Sequence, residues 1–282
     1  MRIWLNGFLL NDESNRVFLD EPLTGFELPE VRTSSGIRSG QNGGYIGAQF
    51  DGPRFITING RIFSNDITEA KAKRRAIQEA LPLHPETITV QIQDDDNKTY
   101  ELIAHYVDFK MPLQESGYKH IFKIDLQAPD PIIYDTTAGA ALNANIQKAI
   151  PGGFQFTSTA PQFDSFYFTD AQSISVVNNS SPNIAYPVIT ITGKLTDPVI
   201  TNKATGESFS LTGYAVDSSA VTVIDMANHT VTLNGGNAFG YVPLTAQWWG
   251  LEPGDNTIDF TSGSGSDVTV GVMTWRPGYR GI

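Results

Sequence analysis

The chain has 282 residues, a formal net charge of −11 at pH 7 and no cysteine. The absence of cysteine excludes disulfides, thiol nucleophiles and thiolate metal sites, and a hydrophobic fraction of 40% excludes wholesale disorder. No apolar run approaches the roughly 20 residues that span a bilayer, so we expect no membrane insertion. No basic segment followed by an apolar stretch opens the sequence, so we expect no secretory signal.

The first half of the chain predicts a mixed β domain. Apolar residues on both sides of Asn6 and Gly7 favour a β-hairpin, because Asn-Gly is a preferred two-residue turn. The segment 27–45 is rich in glycine, serine and polar residues, and a polar segment of that length predicts a functional loop. Alternating apolar residues over 54–63 then predict a strand.

One helix is predicted, beginning after Asp66. Asp66 is a favourable N-cap, and Glu69 follows three residues later as in a capping box. Apolar residues recur at helical spacing until Pro82 ends the pattern. The helix also carries a basic cluster, which we interpret either as a solvated face or as a contact to an acidic neighbouring subunit: Lys71, Lys73, Arg74 and Arg75.

Two strands, 87–93 and 99–109, are predicted on either side of a turn with three consecutive aspartates, Asp94 to Asp96. A calcium loop of the EF-hand type needs alternating ligands and a glutamate at its twelfth position. That pattern is absent, so a polar hairpin turn is the better interpretation. A further strand is predicted over 119–126.

We place a domain boundary after Tyr134. Pro129 and Pro131 flank Asp130 and predict a stiff exit from the preceding strand. The density of charge also changes, with 33 charged residues in 1–134 and 16 in 135–282. The net charges are −5 and −6, so neither half has the basic footprint of a nucleic-acid-binding protein, and we expect no sequence-specific nucleic-acid partner.

The second half predicts an all-β domain without a helix. Short β-rich runs separated by turn residues favour a β-sandwich or a jelly roll. These runs are 173–178, 188–193, 199–202, 208–212, 221–224, 230–234, 257–261 and 268–275.

No catalytic constellation is found, so we expect a protein that is not an enzyme and that has no cofactor or metal. No serine lies in a nucleophile elbow, and no histidine pair has zinc-ligand spacing. Carboxylate pairs are too numerous to single one out. The four histidines are interpreted as ordinary surface or packed residues: His84, His105, His120 and His229.

Trp248 and Trp249 are the one aromatic pair that suggests sugar binding. Adjacent strand residues point to opposite faces, so at most one of the two side chains is expected in the core. The other is free either to stack on a sugar ring or to pack under a loop. We keep both as weak candidates for contact with a sugar or a partner.

Several stretches of the first half resemble the N-terminal domain of the siphophage distal tail protein. They are Gly25–Arg32, Gly43–Tyr45, Pro53–Gly60, the helix ending at Leu81, and the exit Ala128–Tyr134. The second half resembles the C-terminal domain of the same family. The stretches are Tyr186–Gly193, Ile200–Asn202 with Thr205-Gly206, Val223–Asp225, Thr230–Gly235 and Trp249–Phe260. Their order across both halves carries the resemblance.

The resemblance implies a structural protein of a long non-contractile phage tail. It implies a tail-tube-like α+β domain at 1–134 and a galectin-like β-sandwich at 135–282. In that family six copies form a ring at the distal end of the tail, between the tail tube and the tail-associated lysin or fibre, and the ring often carries receptor-binding proteins. The resemblance therefore implies a homo-hexamer in the virion, made in the host cytoplasm, with tube and tape-measure proteins as further partners.

A ring of identical subunits needs contacts that close head to tail. The loop at 32–45 is our candidate to reach a neighbouring subunit, and the alternative is a mobile loop in a monomer. The candidate inter-subunit contacts are Arg32, Arg38, Gln41, Tyr45 and Arg54. The competing functional hypothesis is a carbohydrate-binding module that recognises a host surface polysaccharide, and an enzyme such as a polysaccharide lyase comes third.

Overall fold

The computed structural model describes the chain except for residues 15, 21, 83–85, 113–117, 138, 140, 149–153, 156–166, 169–173 and 264–268. The chain forms two compact units. The first unit comprises Met1–Ala138 together with Tyr279–Ile282, and the second comprises Gly139–Gly278. The second unit is therefore inserted in the sequence of the first.

The first unit is a curled antiparallel sheet with one helix. Its main sheet has the strand order β2-β1-β7-β8-β9-β6-β3, and β10 pairs with both β8 and β25. The elements are β1 Arg2–Leu5, β2 Phe8–Leu9, β3 Val17–Leu19, β4 Val31–Ile37, β5 Gly44–Asp51, β6 Arg54–Phe63, α1 Ile67–Ala80, β7 Ile88–Gln93, β8 Thr99–Lys110, β9 Lys119–Ala128, β10 Ile133–Asp135 and β25 Gly278–Tyr279.

Local sequence signals account for the turn and the helix. Asn6 and Gly7 have φ angles of 48° and 81°, as a two-residue hairpin turn requires, and they join β1 to β2. Asp66 caps α1 by accepting a hydrogen bond from the Glu69 amide at 2.8 Å. The Glu69 carboxylate accepts from the Asn65 amide rather than from the cap residue itself. The predicted hairpin at Asn6-Gly7 and the predicted helix are confirmed.

The core of the first unit lies between α1 and the inner face of the sheet. The alternate residues of β6, β7 and β9 are fully buried there, and Ile77 of the helix packs against them. This is why the alternation over 54–63 was visible in the sequence. Of the basic cluster on α1, Lys73 pairs with Glu69 at 2.7 Å and donates to the Phe63 carbonyl, so this residue is tied within the subunit.

The second unit contains two sheets that enclose a second core. The first sheet has the order β11-β24-β15-β20-β21-β22 and the second β14-β23-β17-β18, and two short pairs, β12-β13 and β16-β19, accompany them. The elements are β11 Leu142–Gln147, β12 Phe154–Gln155, β13 Tyr167–Phe168, β14 Ile174–Asn179, β15 Val188–Thr192, β16 Leu195–Thr196, β17 Val199–Asn202, β18 Glu207–Ser210, β19 Ala215–Val216, β20 Val221–Asp225, β21 Thr230–Leu233, β22 Gly236–Asn237, the 3₁₀ helix Phe239–Tyr241, β23 Gly254–Thr261 and β24 Val270–Trp275.

Both sheets contribute to the core of the second unit, as in a β-sandwich. Ile189 and Met273 come from one sheet, Phe209 and Phe260 from the other, and all four are at most 1% exposed. The mainly β fold class expected from the sequence is therefore confirmed. The segment 27–45 is a correction: it forms strands β4 and β5 rather than an irregular loop.

Candidate functional site

Strands β4 and β5 form a two-stranded arm, residues 31–51, that almost nothing in its own unit covers. Nearly every residue of both strands is exposed. An isolated two-stranded hairpin is marginally stable in water. The described part of the first unit thus leaves both strands of the arm largely uncovered.

Apolar side chains lie on both faces of the arm. The ladder pairs Arg32 with Phe50 and Gly36 with Tyr45, and residues that pair across an antiparallel ladder share a face. An irregularity between Thr33 and Ser35 shifts the register, so that Ser35 pairs with Ile46 and Ile37 with Gly44. One face therefore presents Phe50 and Tyr45, and the other presents Val31, Ile46 and Ile37.

These apolar residues are far more exposed than an isolated subunit favours. Ile37 is 90% exposed, Ile46 71% and Phe50 64%. Contiguous exposed apolar surface on a soluble protein marks an interaction site. The arm therefore has the chemistry of a protein–protein contact.

The turn of the arm, residues 38–43, carries two of the predicted contacts. Arg38 and Gln41 are both exposed there, and the turn closes through the Arg38 amide, which donates to the Gly43 carbonyl at 3.2 Å. Neither Arg32 nor Arg38 forms an ion pair with any described residue. Their guanidinium groups are thus available to an acidic or carbonyl partner.

Arg54 lies at the root of the arm, residues 25–30 and 51–54, and is only 2% exposed. Its guanidinium donates to the carbonyls of Gly25, Glu27, Pro131 and Arg280 at 2.6–2.9 Å. Burial lowers the pKa of Arg54, and nearby carboxylates of Glu27, Asp51 and Asp130 oppose that shift. The expectation of a contact to a neighbouring subunit is corrected here, because Arg54 is occupied inside its own subunit.

A second pair fixes the same root. Arg280 donates from Nε and Nη2 to the two carboxylate oxygens of Asp51, at 2.9 and 2.5 Å. Such a two-bond pairing of arginine with carboxylate is strongly directional. This pair could not be predicted from the sequence, because 229 positions separate the two residues and no local pattern connects them.

Trp248 and Trp249 lie in different environments, as expected for adjacent residues of extended backbone. Trp249 is 1% exposed in the core of the second unit, and its indole N–H donates to the Ile200 carbonyl at 3.2 Å. Buried carboxamides hold the chain beside it, since Asn202 donates to the Gly250 carbonyl and Asn179 to the Leu251 carbonyl. Trp249 is therefore corrected from a candidate contact to a core residue.

Trp248 is half-buried within an aromatic cluster. The His229 ring stacks on it at 4.8 Å with 19° between the planes, and Phe209 lies 4.6 Å away. Phe239 is nearly parallel to it at 6.4 Å. The ring of Trp248 is thus engaged by its own chain.

Of the other histidines, His105 lies in strand β8 and His120 in strand β9. His105 is half-buried, His120 is 1% exposed, and His84 lies outside the described residues. Among the residues that the structure describes, no group of three or more histidine or acidic side chains could hold a metal ion. In that same part of the chain, no helix has the length and apolarity needed to cross a membrane.

Residues 182–279 match the family model described as the siphovirus-type tail component, C-terminal domain. The second unit is thus similar to the C-terminal domain of that family. No curated protein sequence matches the chain. The solved structures below extend the likeness to the fold of both units.

The fold of the chain is similar to that of the Dit protein of phage SPP1, described as a paradigm of the hub adsorption apparatus in phages that infect Gram-positive bacteria. The TM-score is 0.71 at 12% identity, covering 99% of this chain and 98% of that one. It is also similar to a chain of the phage P2 baseplate in its activated conformation with calcium, at 11% identity, a TM-score of 0.52 and coverage of 97% and 94%. The strontium form of that baseplate gives 10% identity, a TM-score of 0.53 and coverage of 100% and 99%.

Proposed function

We propose that this protein is the structural hub of a long non-contractile phage tail tip. Six copies form a ring through their first units and join the tail tube to the tail-associated lysin or fibre and to receptor-binding proteins. The tape-measure protein is a further neighbour. The observation that carries the proposal is the arm, because it exposes apolar side chains on both faces and lies in a chain with the fold of a phage hub protein along 99% of its length.

The projecting shape of the arm favours a ring over a two-fold dimer. A projecting ribbon that inserts into a different surface of its neighbour makes a heterologous contact, and such contacts form a ring where the rotation between neighbours closes. Burying apolar area stabilises a contact by about 25 cal/mol per Å². Burial of the exposed Ile37, Ile46 and Phe50 against a neighbour would supply much of that free energy.

The test is the mass of the full chain in solution. We expect a species with six times the chain mass of 30.8 kDa, present as a ring in electron micrographs. Replacement of Ile46 and Phe50 by threonine should reduce it to monomers. The matched control replaces Val176 and Leu244, which are 65% and 106% exposed in the second unit, by threonine.

The control should keep the hexamer. A monomer for the unaltered chain at all concentrations and with tail-tube protein added, or equal loss of hexamer in both double variants, would contradict the proposal. The carbohydrate-binding alternative has no such support, because one tryptophan is in the core and the other is engaged by His229.

A further inference from the structure

The arm root is built from segments that are distant in sequence. Arg54 draws together the carbonyls of Gly25 and Glu27 before the arm, that of Pro131 near the end of the continuous part of the first unit, and that of Arg280. Because an arginine has five donors in a rigid fork, one buried side chain can fix several backbone segments at once. The arm therefore emerges from a junction of three segments.

The third segment, residues 279–282, follows the second unit in the sequence. It belongs to the first unit nonetheless. Strand β25 pairs with β10, and the ring of Tyr279 meets that of Tyr100 edge to face at 5.9 Å. The Ile282 amide donates to the Phe26 carbonyl at 3.1 Å.

The position of Gly281 shows how closely this segment lies against the root. A Cβ added there would lie 3.2–3.3 Å from backbone atoms of Phe26, Glu27 and Leu28. Contacts of that length are tighter than a side chain ordinarily tolerates. The segment is seated on the arm root rather than passing near it.

Arg280 connects this segment to the arm itself. Its partner Asp51 is the last residue of β5, and the two are held by two hydrogen bonds. The side chains are 41% and 23% exposed, so the pair is only partly screened by water. One strand of the arm is thus tied at its base to residues 279–282.

We infer that residues 279–282 are the mount that sets the direction of the arm, with Arg280 as the positioning residue. This inference rests on the proposed function in that the arm is the ring contact. The mount fixes the pose that lets the arm reach a neighbouring subunit. Ring assembly therefore depends on a segment that is separated from the arm by the whole second unit.

The test measures the pose of the arm directly. The chain has no cysteine, so Gln41→Cys in the arm turn and Gln78→Cys on α1 place two spin labels at exposed positions of the first unit. Labelled chains are diluted with unlabelled chains so that only distances within a subunit are read. We expect a narrow distance distribution, and a broad one after Arg280→Ala.

Two further variants keep the test specific. Arg61→Ala is the matched control, because the Arg61 side chain is 42% exposed, close to the 41% of Arg280, and pairs with Asp20 away from the arm root. It should leave the distribution narrow. The double exchange Asp51→Arg with Arg280→Asp should restore the narrow distribution that Arg280→Ala loses.

Assembly is the second readout. Charge-assisted pairs are the strong class of hydrogen bond, so Arg280→Ala should raise the chain concentration for half-maximal ring formation by about tenfold. An unchanged distance distribution in Arg280→Ala would overturn the inference whether or not rings form. Broadening in Arg280→Ala, in a chain that never forms rings, would support the mount and contradict the proposed function instead.

Discussion

The ring of Tyr45 lies over Gly36 across the arm ladder. A Cβ added to Gly36 would lie 2.7 Å from carbon atoms of that ring, so the aromatic side chain occupies the space that a larger residue would fill. An aromatic residue that covers a cross-strand glycine shields the backbone of both strands. Of the predicted contacts on the arm, Tyr45 thus has a role inside the subunit that the sequence did not indicate.

Tyr45→Ala should loosen the arm without unfolding the unit that carries it. Tyr45 is 53% exposed and Gly36 is half-buried beneath it, and a cross-strand pair contributes roughly 0.2–1 kcal/mol. We expect faster amide hydrogen exchange at residues 36 and 45, with the free energy of unfolding of the chain lowered by less than about 1 kcal/mol. Tyr45→Phe serves as the control, and equal exchange rates in Tyr45→Ala and the unaltered chain would refute this role.

Arg32→Ala combined with Arg38→Ala should shift hexamers to monomers. If both guanidinium groups meet desolvated partners on the neighbour, their loss costs about 2–5 kcal/mol per interface. A surface pair would contribute under about 1 kcal/mol. Because neither residue pairs with a described group of its own subunit, the melting temperature should not change. Mass measured at nanomolar concentration checks this, and a retained hexamer would favour a solvated arm.

Arg54→Ala should destabilise the first unit by at least about 3 kcal/mol, because it leaves several buried carbonyls without a donor. Arg54→Lys keeps the charge but not the fork, so its effect should be intermediate. Urea unfolding, followed through the transition of the first unit, measures both. Equal stability of the alanine variant and the unaltered chain would show that the carbonyls find other donors.

Glu27 should make the arm root sensitive to acid. Backbone hydrogen bonds from its own amide and from Gly25 lower the pKa of its carboxyl group. A carboxyl whose pKa is lower in the folded state stabilises the fold above the unfolded pKa of about 4.3, and that contribution is lost as the pH falls through the folded value. Glu27→Gln should therefore be less stable than the unaltered chain at pH 7.

The pH series distinguishes this ionisation from a loss of packing. The difference in unfolding free energy between Glu27→Gln and the unaltered chain should shrink as the pH is lowered below about 4.3. Glu86→Gln, which removes an exposed acidic charge from the same unit, is the matched control for the loss of charge. A stability difference for Glu27→Gln that is constant across the series would contradict the assignment.

The two units should differ in stability when each is produced without the other. Residues 135–282 were expected to form a domain of their own, and we propose that 139–278 fold alone as a β-rich monomer. A chain of residues 1–138 should be impaired, since it lacks Arg280 and Tyr279. Replacing 139–278 by a flexible linker that retains 279–282 should restore it. Circular dichroism and urea unfolding compare the three, and equal stability of both forms of the first unit would be the contrary outcome.

The sequence predicted the elements whose signals are local. The Asn6-Gly7 turn and the Asp66 cap depend on residues within a few positions of each other, and the strand over 54–63 alternates because one of its faces is buried. The arm strands were missed because they lack this alternation of apolar and polar residues. Neither of their faces is buried in the subunit, so no alternation exists to be read.

The contacts expected on the arm stay a prediction. The segment stands out in the sequence by its polar composition, but its apolar residues Ile46 and Phe50 were not singled out, because single apolar residues in a polar segment carry no pattern. The burial of Arg54 could not be predicted from the sequence, because it depends on carbonyls as distant as that of Arg280, which is 226 positions away. Such pairings are properties of the tertiary fold.

The separation between Arg54 and Arg280 has a consequence for the order in which the chain folds. Closing a flexible loop of 226 residues is entropically unfavourable, and the entropy grows with the logarithm of loop length. If 139–278 condense first into their own sandwich, the intervening chain becomes a compact block and the effective loop shortens. The junction around Arg54 should then be among the last contacts to form, so refolding of the first unit should show a slow phase that disappears when the intervening unit is replaced by a short linker.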